Sequence, residues 1–133
     1  MAVAVKRSVV LVVEDDKEMR NLLCDELWSE GYQLREAKDG DEAFQAVLGA
    51  IPDLILTDLR MPAGGADYIS RLRTVAPQCP IIVMTAFGDA KAKAEVLRAG
   101  ATAYFDKPVR ITEIKNRMKT LLADHRQVSH GTA

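Results

Sequence analysis

Between Pro52 and Pro62 the chain reads Asp-Leu-Ile-Leu-Thr-Asp-Leu-Arg-Met, an aliphatic run that passes straight into a lone acid, Asp58. A continuous apolar run bounded by prolines predicts a strand buried on both faces, as in a parallel sheet with helices above and below it. Asp58 then marks where that strand emerges. In open α/β sheets this carboxyl end of the strands is where ligands bind.

The same pattern recurs along the chain. Val9–Val13 is apolar throughout and ends in the acids Glu14-Asp15-Asp16; Ile81–Thr85 is apolar until the hydroxyl at its end; Thr102–Lys107 ends on Lys107-Pro108. Tyr32–Ala37 alternates enough for a short strand nearer the sheet edge. Helical spacing fills the intervals. Asp16 is placed as an N-cap before Met19, Leu22, Leu23 and Leu27, and Gly31 stops that helix. Ala43, Phe44, Val47 and Leu48 follow the Asp39-Gly40 turn, and Tyr68, Ile69 and Leu72 precede a halt near Pro77. Val96 and Leu97 lie in an alanine-rich helix between Gly88-Asp89 and Gly100, and Ile111, Ile114, Met118, Leu121 and Leu122 form the last stripe.

Five strands alternating with five helices form an α/β (βα)5 unit. Right-handed crossovers then give a doubly wound, flavodoxin-like parallel five-stranded sheet in the order 2-1-3-4-5. That order brings Glu14, Asp15, Asp58, Thr85 and Lys107 to one rim. The unit spans residues 8–122, with 1–7 as an N-terminal extension. Residues 123–133, which show no apolar period, read as a flexible tail or truncated linker.

A chain of 133 residues supports one core and not two. Its net charge of −1 offers no basic field, which argues against direct nucleic-acid binding. Cys24 and Cys79 are too few and too casually spaced for a disulfide framework or zinc site, and as reduced thiols they fit a cytoplasmic protein. No stretch approaches a membrane span. His125 and His130 stand in the tail without partner residues and read as solvated; Trp28 reads as packing or partly exposed surface.

Three carboxylates on one rim repel each other, at about 4 kcal/mol per pair for a separation of about 4 Å and an effective dielectric of about 20. Lys107 supplies one compensating charge and Mg²⁺ would supply two, since it takes carboxylates, waters and phosphate oxygens as ligands. A carboxylate beside Mg²⁺, a lysine and a hydroxyl is an acceptor for phosphoryl transfer, and its product is a transient acyl phosphate.

The motifs Val-Val-Glu14-Asp15, Leu-Thr-Asp58-Leu-Arg-Met-Pro62, Val-Met-Thr85-Ala86 and Tyr104-Phe-Asp-Lys107-Pro108 resemble the receiver domain of two-component response regulators, in that family's order and spacing. The resemblance implies that Asp58 is the phosphoacceptor. It implies that Glu14 and Asp15 hold Mg²⁺, Asp15 more directly, together with Asp58 and the backbone carbonyl of Arg60. Lys107 would contact the phosphoryl group, Thr85 would hydrogen-bond it, and Thr85 and Tyr104 would act as the switch pair. The donor would be a sensor histidine kinase or phosphotransfer protein. The face of the fourth helix, fifth strand and fifth helix would carry the signal to an effector protein, to a C-terminal output domain or into a phosphorylation-dependent homodimer. Lys107-Pro108 is similar to a bond that is cis in the family. Thr85-Ala-Phe-Gly-Asp89 resembles receivers found on transcriptional regulators, although the chain ends soon after its fifth helix.

The sequence departs from the family where Met-Pro-x-x-Asp-Gly is common and this chain has Met61-Pro-Ala-Gly-Gly-Ala66, so the path of the 63–66 loop is open. Two other functions compete. A Mg²⁺-dependent aspartyl-phosphate hydrolase needs a general acid two residues after its nucleophile, where this chain has Arg60. A flavodoxin-like cofactor binder needs a glycine- or hydroxyl-rich phosphate loop, which does not follow Val13. Arg60 and Phe87 are expected to overlook the path of hydrolytic water, and neither can activate it, which predicts slow self-dephosphorylation.

Overall fold

In a computed structural model, residues 7–86 and 88–131 are described, with side chains to residue 124. The strands are β1 (Val9–Val13), β2 (Gln33–Ala37), β3 (Leu54–Thr57), β4 (Ile81–Thr85) and β5 (Ala103–Asp106). The helices are α1 (Lys17–Ser29), α2 (Gly40–Gly49), α3 (Ala66–Val75), α4 (Ala90–Ala99) and α5 (Ile111–Gly131). The strands pair in parallel in the order β2-β1-β3-β4-β5, the doubly wound order read from the sequence.

Alternate residues of the central strands enter two cores, which is why those strands carry no polar residue before Thr57 and Thr85 at the rim. Leu11, Val13, Ile55, Ile81 and Val83 pack beneath α2, α3 and α4 against Ala43, Val47, Ile69, Leu72 and Val96. Val10, Val12, Leu54, Leu56, Ile82 and Met84 pack on the other face against Leu23 and Leu27 of α1 and Ile114, Met118 and Leu122 of α5. Each buried Leu or Ile contributes about 1.5–3 kcal/mol.

Local chemistry sets the helix ends. Asp16 accepts from Met19 N (3.0 Å), Asp39 from Glu42 N (2.8 Å) and Asp89 from Ala92 N (2.7 Å), so three of the starts carry side-chain caps. Gly31 and Gly100 lie at the C-terminal ends of α1 and α4 with φ of 93° and 125°, where a side chain would be strained. Arg73 ties α3 to the following loops: its guanidinium donates to the carbonyls of Gly100, Ala76, Pro77 and Cys79 at 2.7–3.2 Å.

The structure sorts the apolar residues at helical spacing into buried and exposed ones, and carries the last helix into residues 123–131. Met19 and Leu22 do not join the core stripe of α1; they are 38% and 57% exposed because the stripe facing the sheet is filled by Leu23 and Leu27. They line instead a groove of about 590 Å³ between α1 and the start of α5. Leu48 and Leu97 are likewise surface residues. The last helix continues past Leu122 to Gly131, since no glycine or proline interrupts it before that point. The side chains of His125 and His130 lie outside the described residues. Among those residues no helix is long and apolar enough to cross a membrane.

Candidate functional site

Strand register aligns the rim. Val13 pairs with Thr57, so Glu14 and Asp58 follow side by side as the chain leaves β1 and β3. Thr85 pairs with Asp106, and Lys107 follows on the next strand with its amide donating to the Thr85 carbonyl (2.9 Å). The lysine side chain reaches back across the rim. Its Nζ stands 2.8 Å from Glu14 Oε1 and 2.9 Å from Asp58 Oδ2, joining two carboxylates through one ammonium.

Asp58 is held on both oxygens. While Oδ2 faces Lys107, Oδ1 accepts the amides of Leu59 (2.6 Å) and Arg60 (3.0 Å), the first two of the loop that follows. Glu14 is almost wholly buried, and burial raises its pKa against the lowering effect of Lys107. For Lys107 burial pulls the pKa down, but the hydrogen bonds to Glu14 and Asp58 outweigh it and the net direction is up. Lys107 is therefore firmly protonated between the two acids.

Not every residue of the constellation joins it. Asp15 is exposed, and among the described residues no three Asp, Glu, His or Cys side chains already converge as a metal cage. Thr85 is buried and turns its hydroxyl to its neighbour Ala86, in a long 3.4 Å contact with that carbonyl. Tyr104 tucks its hydroxyl into a buried position beneath Gly88, where it finds no hydrogen-bond partner among the described residues. Its pKa is raised, first by burial and then by the nearby carboxylate of Asp106. The Lys107-Pro108 peptide is cis. The Arg60 amide turns toward Asp58, and its side chain is exposed. Phe87 lies outside the described residues.

The unusual loop has a defined path. Met61 N donates to Leu59 O (3.0 Å), Gly64 N to Met61 O (3.1 Å), and Gly40 N to Pro62 O (3.0 Å). A Cβ on Gly64 would overlap the Leu59 carbonyl, and Gly65 enters α3 at φ 98°. The two glycines thus permit a tight turn that closes directly on the residue after Asp58.

The supporting roles of five residues escaped the motif reading. Thr57 Oγ1 and Tyr68 Oη meet at 3.0 Å, fixing α3 to the end of β3. Gly88 leaves the space that Tyr104 fills. Arg20 donates to the Glu14 carbonyl (2.7 Å), a placement that its position one turn after the acidic run could have signalled. Arg73, the clamp on four carbonyls, gave no signal, because its acceptors are backbone groups scattered through the sequence.

Comparison with known proteins bears on the family and the fold. The response regulator receiver domain model matches residues 10–119. The transcriptional regulatory protein PhoP of Escherichia coli K12 is 39% identical over 114 residues, which cover 85% of this chain and 51% of PhoP. Sporulation initiation phosphotransferase F of Bacillus subtilis 168 is 33% identical over 114 residues, covering 85% of this chain and 92% of that protein. A solved putative response regulator from Chloroflexus aurantiacus J-10-fl superposes with a TM-score of 0.82 at 34% identity, covering 89% of this chain and 99% of that one. The chain spans about half the length of several of the relatives it matches, PhoP among them. Sequence and fold together make the chain a member of the response regulator receiver domain family.

Proposed function

We propose that Asp58 accepts a phosphoryl group from a sensor histidine kinase or phosphotransfer protein. The observation that carries this reading is the single ammonium of Lys107 bridging Glu14 and Asp58 at the mouth of the sheet. A carboxylate oxygen of Asp58 forms the new bond to phosphorus as the bond to the donor nitrogen breaks, and the departing imidazole keeps the electron pair and takes up a proton. Lys107 is the cation beside the acceptor and offsets charge on the phosphoryl oxygens. The amides of Leu59 and Arg60 orient the attacking carboxylate.

Glu14, Asp15, Asp58 and the Arg60 carbonyl are all hard oxygen donors, the chemistry Mg²⁺ selects. The donor set therefore fits the ion, with Asp15 the most direct ligand once its exposed side chain turns inward. Bound there, the ion would add positive charge beside the acceptor and relieve the repulsion among the acids.

Thr85 and Tyr104 form the switch pair. The weak contact of Thr85 Oγ1 with Ala86 costs little to exchange for a phosphoryl oxygen, and the change alters the packing next to Tyr104. The face made by α4, β5 and α5 transmits it, with Lys93 over the Tyr104 ring and Arg117 over Phe105 as its charged edge. The recipient is an effector protein, a C-terminal output domain or a second copy of the chain; this chain itself contacts neither nucleic acid nor membrane. The setting is the cytoplasm. Incubation with acetyl phosphate and Mg²⁺ tests the reading: intact mass should rise by one phosphoryl group in the wild type and stay unchanged in Asp58→Asn.

A further inference from the structure

The acid run Glu14-Asp15-Asp16 leaves β1 with three formal negative charges in succession. Its backbone is pinned from two sides. Glu14 N donates to Ala37 O of β2 (3.1 Å), and Glu14 O accepts from Arg20 Nη1 (2.7 Å). The same guanidinium donates through Nε to Glu36 Oε1 on β2 (3.2 Å). Arg20 itself is seated by α1, its amide bonded to Asp16 O (2.9 Å), and its side chain is only 16% exposed.

The carbonyl that Arg20 holds belongs to the peptide joining Glu14 to Asp15. Rotation of that peptide would turn the direction in which Asp15 leaves the backbone. Since the Asp15 side chain is exposed, its aim rests on this backbone. A hydrogen bond from a charged donor is roughly twice as strong as a neutral one, and the fork of an arginine restrains two acceptors at once. We infer that Arg20 is a positioning residue for divalent-cation binding, fixing the Glu14–Asp15 peptide between α1 and β2 without touching the ion. This rests on the proposal that Glu14 and Asp15 take the cation.

Outer-shell groups that orient metal ligands alter affinity by about 10-fold or more when removed. Calorimetric titration of the unphosphorylated protein with Mg²⁺ should give a Kd raised about tenfold in Arg20→Met. Arg20→Lys, which keeps the charge but loses the fork, should fall between Arg20→Met and wild type. Loading by acetyl phosphate should need correspondingly more Mg²⁺ in Arg20→Met and recover as the ion is raised, a rescue that general structural damage would not give. Arg35→Met is the control. Arg35 donates to the Ala46 and Ala50 carbonyls at the end of α2, so its loss should lower the unfolding midpoint without moving the Mg²⁺ Kd. If Asp15→Asn weakens Mg²⁺ binding while Arg20→Met stays within twofold of wild type, the role of Arg20 is overturned. If Asp15→Asn also leaves the Kd unchanged, the cation reading fails, and the inference falls with it. Should Arg20→Met not fold, Arg20→Lys decides by the same titration.

Discussion

Replacing Lys107 by methionine keeps most of the side-chain volume and removes the one charge that joins Glu14 to Asp58. Both facing oxygens lie within 2.9 Å of the lost nitrogen. They are thus at most about 6 Å apart, and at an effective dielectric of about 20 two unit charges so placed repel by about 3 kcal/mol. The Glu14 pKa, already raised by burial, should rise further because its opposing partner is gone and Asp58 now faces it directly. The sign follows from linkage. A carboxyl whose folded pKa exceeds its unfolded value holds a proton that the unfolded chain has released. Its cost is absent below the ordinary carboxylate range and grows as pH rises toward the folded value. Urea unfolding in the presence of a chelator should therefore show Lys107→Met losing more stability than wild type between pH 4 and 7, by up to about 3 kcal/mol. Adding Asp58→Asn to Lys107→Met should recover most of the loss. Parallel pH curves for wild type and Lys107→Met, or no recovery in the double mutant, would refute the electrostatic account of the trio.

Two further substitutions address the surroundings. Gly88→Ala should evict the Tyr104 hydroxyl from its buried position, because the new Cβ would overlap it; the raised Tyr104 pKa should fall toward the ordinary phenol value, as read by NMR titration of ring-labelled tyrosine, and an unaltered titration would count against the packing. Gly64→Ala should cost about 1–3 kcal/mol in chemical unfolding and slow loading by acetyl phosphate, since the clash is with the Leu59 backbone carbonyl and not a movable side chain; wild-type stability with wild-type loading would contradict the tight-turn assignment.

The sheet was legible because its central strands are buried on both faces. Val9–Val13, Leu54–Thr57 and Ile81–Thr85 admit almost no polar residue until each reaches the rim, so their polar ends mark the site directly. The cap Asp16 was legible for a local reason, as it bonds an amide three residues on; Asp39 and Asp89 cap in the same way but were read only as a turn and a helix start. The faces of the helices were less so. Met19 and Leu22 satisfy helical spacing in α1, yet the stripe touching the sheet is narrower than the apolar stripe in the sequence. Arg73 acts on backbone carbonyls, and such acceptors leave no trace in side-chain pattern; for Arg20 the one signal was its place a turn after the acidic run. The 63–66 loop depends on two glycines serving different ends, close approach at Gly64 and positive φ at Gly65, which composition alone does not separate. The helical continuation beyond Leu122 was missed because an apolar period reports burial, whereas a helix running past the core needs only the absence of breakers.

The most direct test of the central claim is to locate the phosphoryl group. After treatment with acetyl phosphate and Mg²⁺, borohydride reduction converts an aspartyl phosphate to homoserine, which peptide mass spectrometry assigns to a position. The account predicts one modified residue, Asp58, with Asp58→Asn unmodified under the same conditions. Modification at another acid, or a wild-type level of labelling in Asp58→Asn, would contradict it.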